Sequence, residues 1–335
     1  MFVKNPVRQM TNGVFYGLLF VAGGLPGLAL AAGALPFATR DQNPLVLIYG
    51  LPTATAARII QPGQTRLTGS LNMSNTINAE SPGNESLFID VESYQFNVVY
   101  DYGLNPQWML RLQLPLIKHS AGFMDDWIDR YHDLLGLPQN IRPAYPNDQI
   151  HIDYRNNGNQ LLSMQQSAAG MGDVSLQAAY QARADDSGNL SYWASLKLPS
   201  GNSDKLTGSG STDLAVWLAA DRRLLDSMWL YANVGGIYMT DSEVLPEQHN
   251  NGALFGSAGM QFHPWKPVQL KLQLDGHTAF YDSATDFLGR VVQLSFGGTV
   301  IISKQSSLDI AVAEDIQTGA SPDVNFNLTW RSLFD

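Results

Sequence analysis

The 335-residue chain contains no cysteine, which excludes disulfide scaffolds, thiolate metal sites and cysteine nucleophiles. Charge is scarce. Only 15% of residues are Asp, Glu, Lys or Arg, against roughly 25% in soluble domains. Basic residues are the scarcer sign, 20 Lys and Arg against 30 Asp and Glu, and no dense Lys/Arg run occurs. With a sequence pI near 4.9, nucleic-acid binding is disfavoured. After residue 31 no apolar run reaches about 18 residues, the length a spanning helix needs. The mean hydropathy of −0.11 rules out a multi-span helical membrane protein. What the chain does have is 44% hydrophobic residues, 10% aromatics and 30 glycines, a composition too rich in apolar residues for disorder.

The first 31 residues read as an export signal. Lys4 and Arg8 form a basic start, Val14 to Leu30 an apolar stretch, and Ala29-Leu30-Ala31 a small-x-small cleavage pattern. Gly23, Gly24, Pro26 and Gly27 make the stretch a poor spanning helix. Loss of Lys4 and Arg8 takes the formal net charge from −10 to −12.

From Gln64 to Phe334 the chain alternates with period two in twelve segments: 64–74, 87–102, 107–118, 171–182, 190–198, 211–222, 228–240, 253–263, 268–280, 289–302, 306–313 and 323–334. In 268–280, Leu270, Leu272, Leu274, Thr278 and Phe280 share one face, and Lys271, Gln273, Asp275 and His277 the other. A soluble sandwich would turn the leucine face inward; a membrane barrel turns it to lipid around a polar interior.

Three features favour the barrel. Most segments are long enough for a tilted membrane crossing of roughly 9–11 residues. Aromatics sit at segment ends, as an interfacial girdle requires: Tyr100, Tyr102, Trp108, Trp229, Phe262, Trp265, Phe280, Tyr281, Trp330 and Phe334. Connections also alternate in length, short after even segments and longer and polar after odd ones (75–86, 119–170, 199–210, 241–252, 281–288 and 314–322). That parity fits short periplasmic turns and long outer loops. Unpaired sheet edges in lipid cost several kcal/mol per group, so the sheet closes. The expected fold is all-β, an up-and-down antiparallel transmembrane barrel of about twelve strands in a bacterial outer membrane, with both termini periplasmic. It has three parts: a cleaved signal at 1–31, an N-terminal segment at 32–63 that is a plug or periplasmic leader, and the barrel at 64–335.

Within 119–170, Phe123, Trp127, Ile128, Tyr131, Leu134 and Leu135 recur at helical spacing, so a short helix is expected in this outer loop. Asp125, Asp129 and Asp133, with His132, have spacings open to a divalent cation; a solvated acidic face is the commoner meaning.

Two stretches carry a family resemblance. Arg40-Asp41-Gln42-Asn43-Pro44-Leu45 with Tyr49-Gly50-Leu51-Pro52, and Gly122-Phe123-Met124-Asp125 followed by His132, Gly136-Leu137-Pro138, Asn140 and Arg142, resemble the signatures of domain of unknown function family 3187. The resemblance implies an outer-membrane-type barrel and transfers no catalytic residues. Outer-membrane barrels resemble one another in ending on an aromatic strand read by the insertion machinery; here Phe334 is penultimate.

By alternation the interior receives Arg66, Asp101, Arg111, Lys197, Asp213, Lys271, Gln273, Asp275, His277 and Arg331. Both signs are present, so internal ion pairs are expected rather than a single-sign filter. Arg111, Lys197, Lys271, Gln273, Asp275, His277 and Arg331 are the candidate lumen-lining residues. Asp275 and His277 are spaced for an acid–base pair, but lumen lining needs such groups anyway. No His-x-Ser pairing resembling that of outer-membrane phospholipases is present. The expectation is therefore a non-enzymatic narrow channel or uptake pore for a small solute, needing no cofactor or bound metal. Its expected partners are outer-membrane lipid, lipopolysaccharide and the insertion machinery. An outer-membrane lipid hydrolase and a non-conducting scaffold or adhesion barrel are the alternatives.

Overall fold

The computed structural model describes residues 33–126, 128, 130, 144–316, 322 and 324–335. The export signal, Trp127, Tyr131, Leu134 and Leu135, the Asp129–His132–Asp133 group and the tail of the second signature lie outside the described residues.

The strands are β1 (Thr65–Glu80), β2 (Glu85–Gly103), β3 (Trp108–Ser120), β4 (His151–Asn156), β5 (Asn159–Met164), β6 (Ala168–Met171), β7 (Val174–Asp185), β8 (Gly188–Leu198), β9 (Asp213–Leu225) and β10 (Met228–Met239). They continue with β11 (Gly252–Trp265), β12 (Val268–His277), β13 (Val291–Ile301), β14 (Ser306–Asp315) and β15 (Val324–Phe334). Neighbours pair antiparallel around a ring that closes where β1 meets β15, from Thr65↔Phe334 to Asn75↔Val324. β6 and β7 together make one staved position. Both pair with β3, β6 at Leu116–His119 and β7 at Trp108–Gln113. The ring thus has twelve staves, the number the alternation predicts.

The two faces sort as lipid and interior demand. Along β12, Leu270, Leu272 and Leu274 are 46%, 43% and 42% exposed, while Lys271 and Gln273 are 4% and 0%. An exposed leucine belt around a closed sheet is stable only against hydrocarbon.

Several expectations need correction. β1 and β2 run on past the predicted 75–86 loop, leaving only residues 81–84 between them. The extension is held by β4, which pairs with the far end of β2 from Glu85↔Asn156 to Asp90↔His151. Loop 119–170 therefore contains a hairpin, β4–β5, that helical spacing did not reveal. Its helical part includes Asp125, Asp126, Ile128 and Arg130, with Ile128 N donating to Met124 O at 2.8 Å. Segment 268–280 stops at His277, so Phe280 and Tyr281 are not girdle residues; they are buried beneath the loops at 0% and 2%. Trp229 also points inward, buried against Ala34 and Tyr231. The interior is not uniformly polar: Trp193 and Trp217 stack at 5.5 Å within an apolar cluster that includes Ala215, Ala219, Ile237 and Phe255.

Candidate functional site

Residues 33–63 occupy the barrel interior as a hairpin. One limb rises from the short-turn rim. Ala34 N donates to Asp221 (3.1 Å), Leu35 N to Gln261 (2.9 Å) and Phe37 N to Gln273 (2.9 Å). Thr39 Oγ1 donates to Asp275 at 2.8 Å, and Asp41 meets His277 Nε2 at 3.1 Å. These partners lie progressively further along their strands, so the limb spans the barrel's depth. Near the loop rim the chain turns through a short helix, α1 (Pro44–Leu47), with Asn43 as its N-cap. The second limb descends. Gly50 N donates to Asp213 (2.7 Å), Thr55 N to Asn233 (3.0 Å) and Ile59 N to Gln181 (2.8 Å). It leaves beside the end of β2, where Gly63 N donates to Gly103 O at 2.8 Å.

The first signature builds the apex of this hairpin. Arg40 Nη2 donates to Leu47 O (2.6 Å), and its Nη1 to Tyr49 O (3.2 Å) and Leu51 O (2.7 Å). One buried guanidinium thus satisfies three carbonyls left over where the short helix ends. Asp41 Oδ1 accepts from Asn43 N, and Asn43 Nδ2 donates to Phe287 O. Tyr49 OH lies within hydrogen-bond distance of Ser242 Oγ (3.0 Å) and Tyr281 OH (3.1 Å). At Gly50 an added Cβ would press on Lys197 and Asp213 at 3.1–3.3 Å.

The second signature caps the β1–β2 extension. Gly122 has φ +81°, and a Cβ there would overlap the Glu92 carboxylate, which accepts from the backbone N–H of Phe123 and Met124. Asp125 accepts from Asn75 Nδ2 at 2.7 Å.

The predicted interior charges fall into three groups. Asp101, fully buried, lies 2.6 Å from both Arg66 and Arg111; the Arg111 guanidinium also sits 4.7 Å over the Trp193 ring. Lys197 Nζ lies 2.6 Å from Asp173 and 3.2 Å from Asp213. Lys271 and Arg331 share Asp309 at 3.1 and 2.5 Å. Lys271 also donates to Leu35 O (2.7 Å) and Arg331 to Pro36 O (3.1 Å), so this group grips the rising limb. Gln273 both accepts from and donates to Phe37.

His277 and Asp275 do not form a pair with each other. Asp275 takes Thr39 and Gln273, while His277 takes Thr278 O and Asp41. Each holds the segment rather than facing open space. Asp309 and Asp173 were missed, although Asp309 falls on the polar side of the 306–313 alternation. A further serine–histidine contact, Ser93 Oγ to His119 Nδ1 at 2.8 Å, is fully buried, its ring held by Leu206 O. Among the described residues no cluster of His, Asp and Glu could hold a metal.

With the hairpin in place, voids of about 20 Å³ remain beside Asp275 and His277 and beside Gln95, Gln113 and Gln177. Each has room for a single water. A larger cavity of about 370 Å³ opens at the short-turn rim between the ends of the hairpin.

A closed sheet with an apolar exterior, a mixed-charge interior and an inserted segment defines a transmembrane β-barrel of the outer-membrane type. The chain belongs to the family described as protein of unknown function (DUF3187), which matches residues 18–334. Among solved structures it is similar to the COG4313 outer membrane channel from Pseudomonas putida F1, with a TM-score of 0.57 and 13% identity, covering 83% of this chain and 98% of that one. It is also similar to the CymD monoaromatic hydrocarbon channel (TM-score 0.42, 12% identity, 91% of this chain and 95% of that one). A third is the KdgM porin in complex with disordered oligogalacturonate (TM-score 0.44, 5% identity, 81% and 99%). No curated protein matches this sequence significantly.

Proposed function

We propose that this protein is a narrow outer-membrane channel for a small solute, closed at rest by residues 33–63. The observation that carries this reading is how the interior is filled. A separate hairpin fills it, its backbone N–H groups donating along its length to wall side chains. Such polar contacts can be exchanged for water, while Leu45, Tyr49, Leu51 and Ile59 also pack in an apolar cluster with Trp193, Trp217 and Phe255, so opening costs apolar burial as well.

Residues 1–31 direct export and are removed. The short turns face the periplasm, so both termini lie there, with the 370 Å³ cavity as a periplasmic vestibule. Lipid and lipopolysaccharide contact the leucine belt, and the β15 strand with Phe334 engages the insertion machinery. Arg111, Lys197, Lys271, Gln273, Asp275, His277 and Arg331 are the wall groups a solute meets once the hairpin shifts. The protein acts without catalysis: His277, the acid–base candidate, spends both ring nitrogens on Thr278 and Asp41.

Planar-bilayer recording tests this. The full-length mature protein should show small or rare currents, and a barrel lacking residues 33–63 large steady ones. Absence of current from both would remove the channel reading. Fatty-acid release from lipid vesicles, abolished by His277→Ala, would favour a hydrolase instead.

A further inference from the structure

We propose that the solute is neutral and polyhydroxylated, of the saccharide class, and that it passes between the hairpin and the wall formed by β15, β1, β2 and β3. This rests on the channel reading above and gives it a substrate class.

The strand register puts uncharged polar side chains in successive rows across β15, β1 and β2, which continue on β3 to Ile117 and Pro115. Asn327, Asn72 and Gln95 lie opposite one another on β15, β1 and β2, and so do Thr329, Ser70 and Asn97 one step nearer the short-turn rim. All six are buried on the interior side. They are joined into a ladder. Asn327 Nδ2 donates to Asn72 Oδ1 at 2.8 Å, Ser70 and Thr329 share a hydrogen bond at 2.8 Å, and Gln113 Nε2 on β3 donates to Asn97 Oδ1 at 3.1 Å. Charge returns at the two rims: Arg331 and the Arg66–Asp101–Arg111 group toward the short turns, and Glu80 and Glu85 toward the loops.

The hairpin is fastened elsewhere. Its side-chain contacts run to β7–β13 and, on β15, from Arg331 and Asn327. Among the described residues, 34–57 make no hydrogen bond to β1, β2 or β3. This wall is therefore the seam along which the hairpin can part from the barrel with the fewest hydrogen bonds broken. The wall also keeps unused capacity: Asn72 Nδ2 and both amide atoms of Asn325 are buried and have no hydrogen-bond partner. Unpaired amides in such a site are costly, and a hydroxylated solute supplies both donors and acceptors to them. A water-sized void already lies beside Gln95 and Gln113, with Arg40, Asp173 and Lys197 on its far side.

The chemistry selects by exclusion as well as by fit. An ion at the depth of Asn72 would lose hydration and gain no opposite charge from these rows. An apolar solute would leave the ladder's spare donors and acceptors unpaired. A sugar hydroxyl replaces water at each step with little loss.

Vesicle swelling with the full-length mature protein tests this, using glucose, gluconate and glucosamine, which are similar in size and differ in charge. Glucose should enter several-fold faster than either charged probe. Equal or faster entry of gluconate or glucosamine, in vesicles that do swell, overturns the neutral-solute assignment and leaves the channel standing. No swelling with any probe, and no potassium chloride current from either the full-length protein or the barrel lacking residues 33–63, sinks the channel reading itself. Asn72→Asp then locates the pathway: it should shift the reversal potential toward cation preference and slow gluconate further. An unchanged reversal potential places the pathway away from this wall. Asn72→Leu with Asn327→Leu should cut glucose entry several-fold; unimpaired glucose entry through the folded double variant also overturns the proposal.

Discussion

Arg40 shows how one side chain sets the state of the interior. Its three hydrogen bonds go to carbonyls of residues 47, 49 and 51, all at the hairpin's apex. Arg40→Met keeps the volume and removes the donors. Each orphaned buried acceptor costs about 1–3 kcal/mol, so the apex should loosen before the barrel does. The expected outcome is more frequent channel opening and faster proteolysis within residues 33–63, with the barrel's own unfolding little changed. The Asp309 carboxylate poses a different case, since it neutralises two cations at once. Asp309→Asn leaves Lys271 and Arg331 facing each other at low dielectric. Removing one partner of a buried ion pair costs roughly 3–5 kcal/mol, and urea unfolding in detergent micelles should register a loss of that order. Thr299→Val, which deletes only a hydroxyl donor to the same carboxylate, should cost far less.

At the scale of elements, the hairpin and the loops over it form one packed unit. Tyr49 stacks on His249 at 5.2 Å and on Phe280 at 5.3 Å, and its hydroxyl reaches Tyr281. Burial holds the His249 imidazole below its ordinary value of 6.5; Asp241 pulls it back up and Lys197 adds to the lowering. The native state therefore favours the neutral ring. That contribution is complete above the ordinary value and is lost as pH falls below it. Acidification from pH 7.5 to about 5 should weaken the loop–hairpin contact and raise open probability. The measurement is a pH series of single-channel records, in which His249→Phe should flatten the response. The same unit explains why Phe280 and Tyr281 mislead as girdle aromatics. An aromatic at the end of an alternating run has the same local pattern whether it meets headgroups or a folded loop, and only the tertiary contact separates the two. The β4–β5 hairpin was hidden for a related reason: its value lies in pairing with the end of β2, a contact between residues far apart in sequence.

The whole molecule rests on its exterior touching hydrocarbon. Leu272 sits near the middle of β12 on the exposed face. An arginine on the lipid face near the midplane costs about 2–4 kcal/mol, so Leu272→Arg should lower the refolding yield in lipid vesicles by a corresponding amount. Its penalty should shrink in thin or short-chain bilayers, where the guanidinium reaches water. If Leu272→Arg refolded as well as the parent in every bilayer, the leucine belt would not be facing lipid. Closure of the ring between β1 and β15 matters at this scale as well. It removes the unpaired edges that an open sheet would expose in the membrane, and it creates the enclosed space that the hairpin fills.

The strand alternation by itself determined the number of staves, their antiparallel order and which face of each meets lipid. Period two is a local property, and lipid acts on every strand in the same way. It also assigned the interior cations and Asp101, since each lies in phase with its strand. What it left undecided was the filling of the space. Whether 33–63 enters the lumen, and which wall groups receive its backbone N–H groups, depend on surfaces brought together from different parts of the closed sheet. The hydrogen bonds that hold the hairpin to the wall join residues more than a hundred positions apart, and no repeat along the chain encodes them. They form only once the barrel has closed.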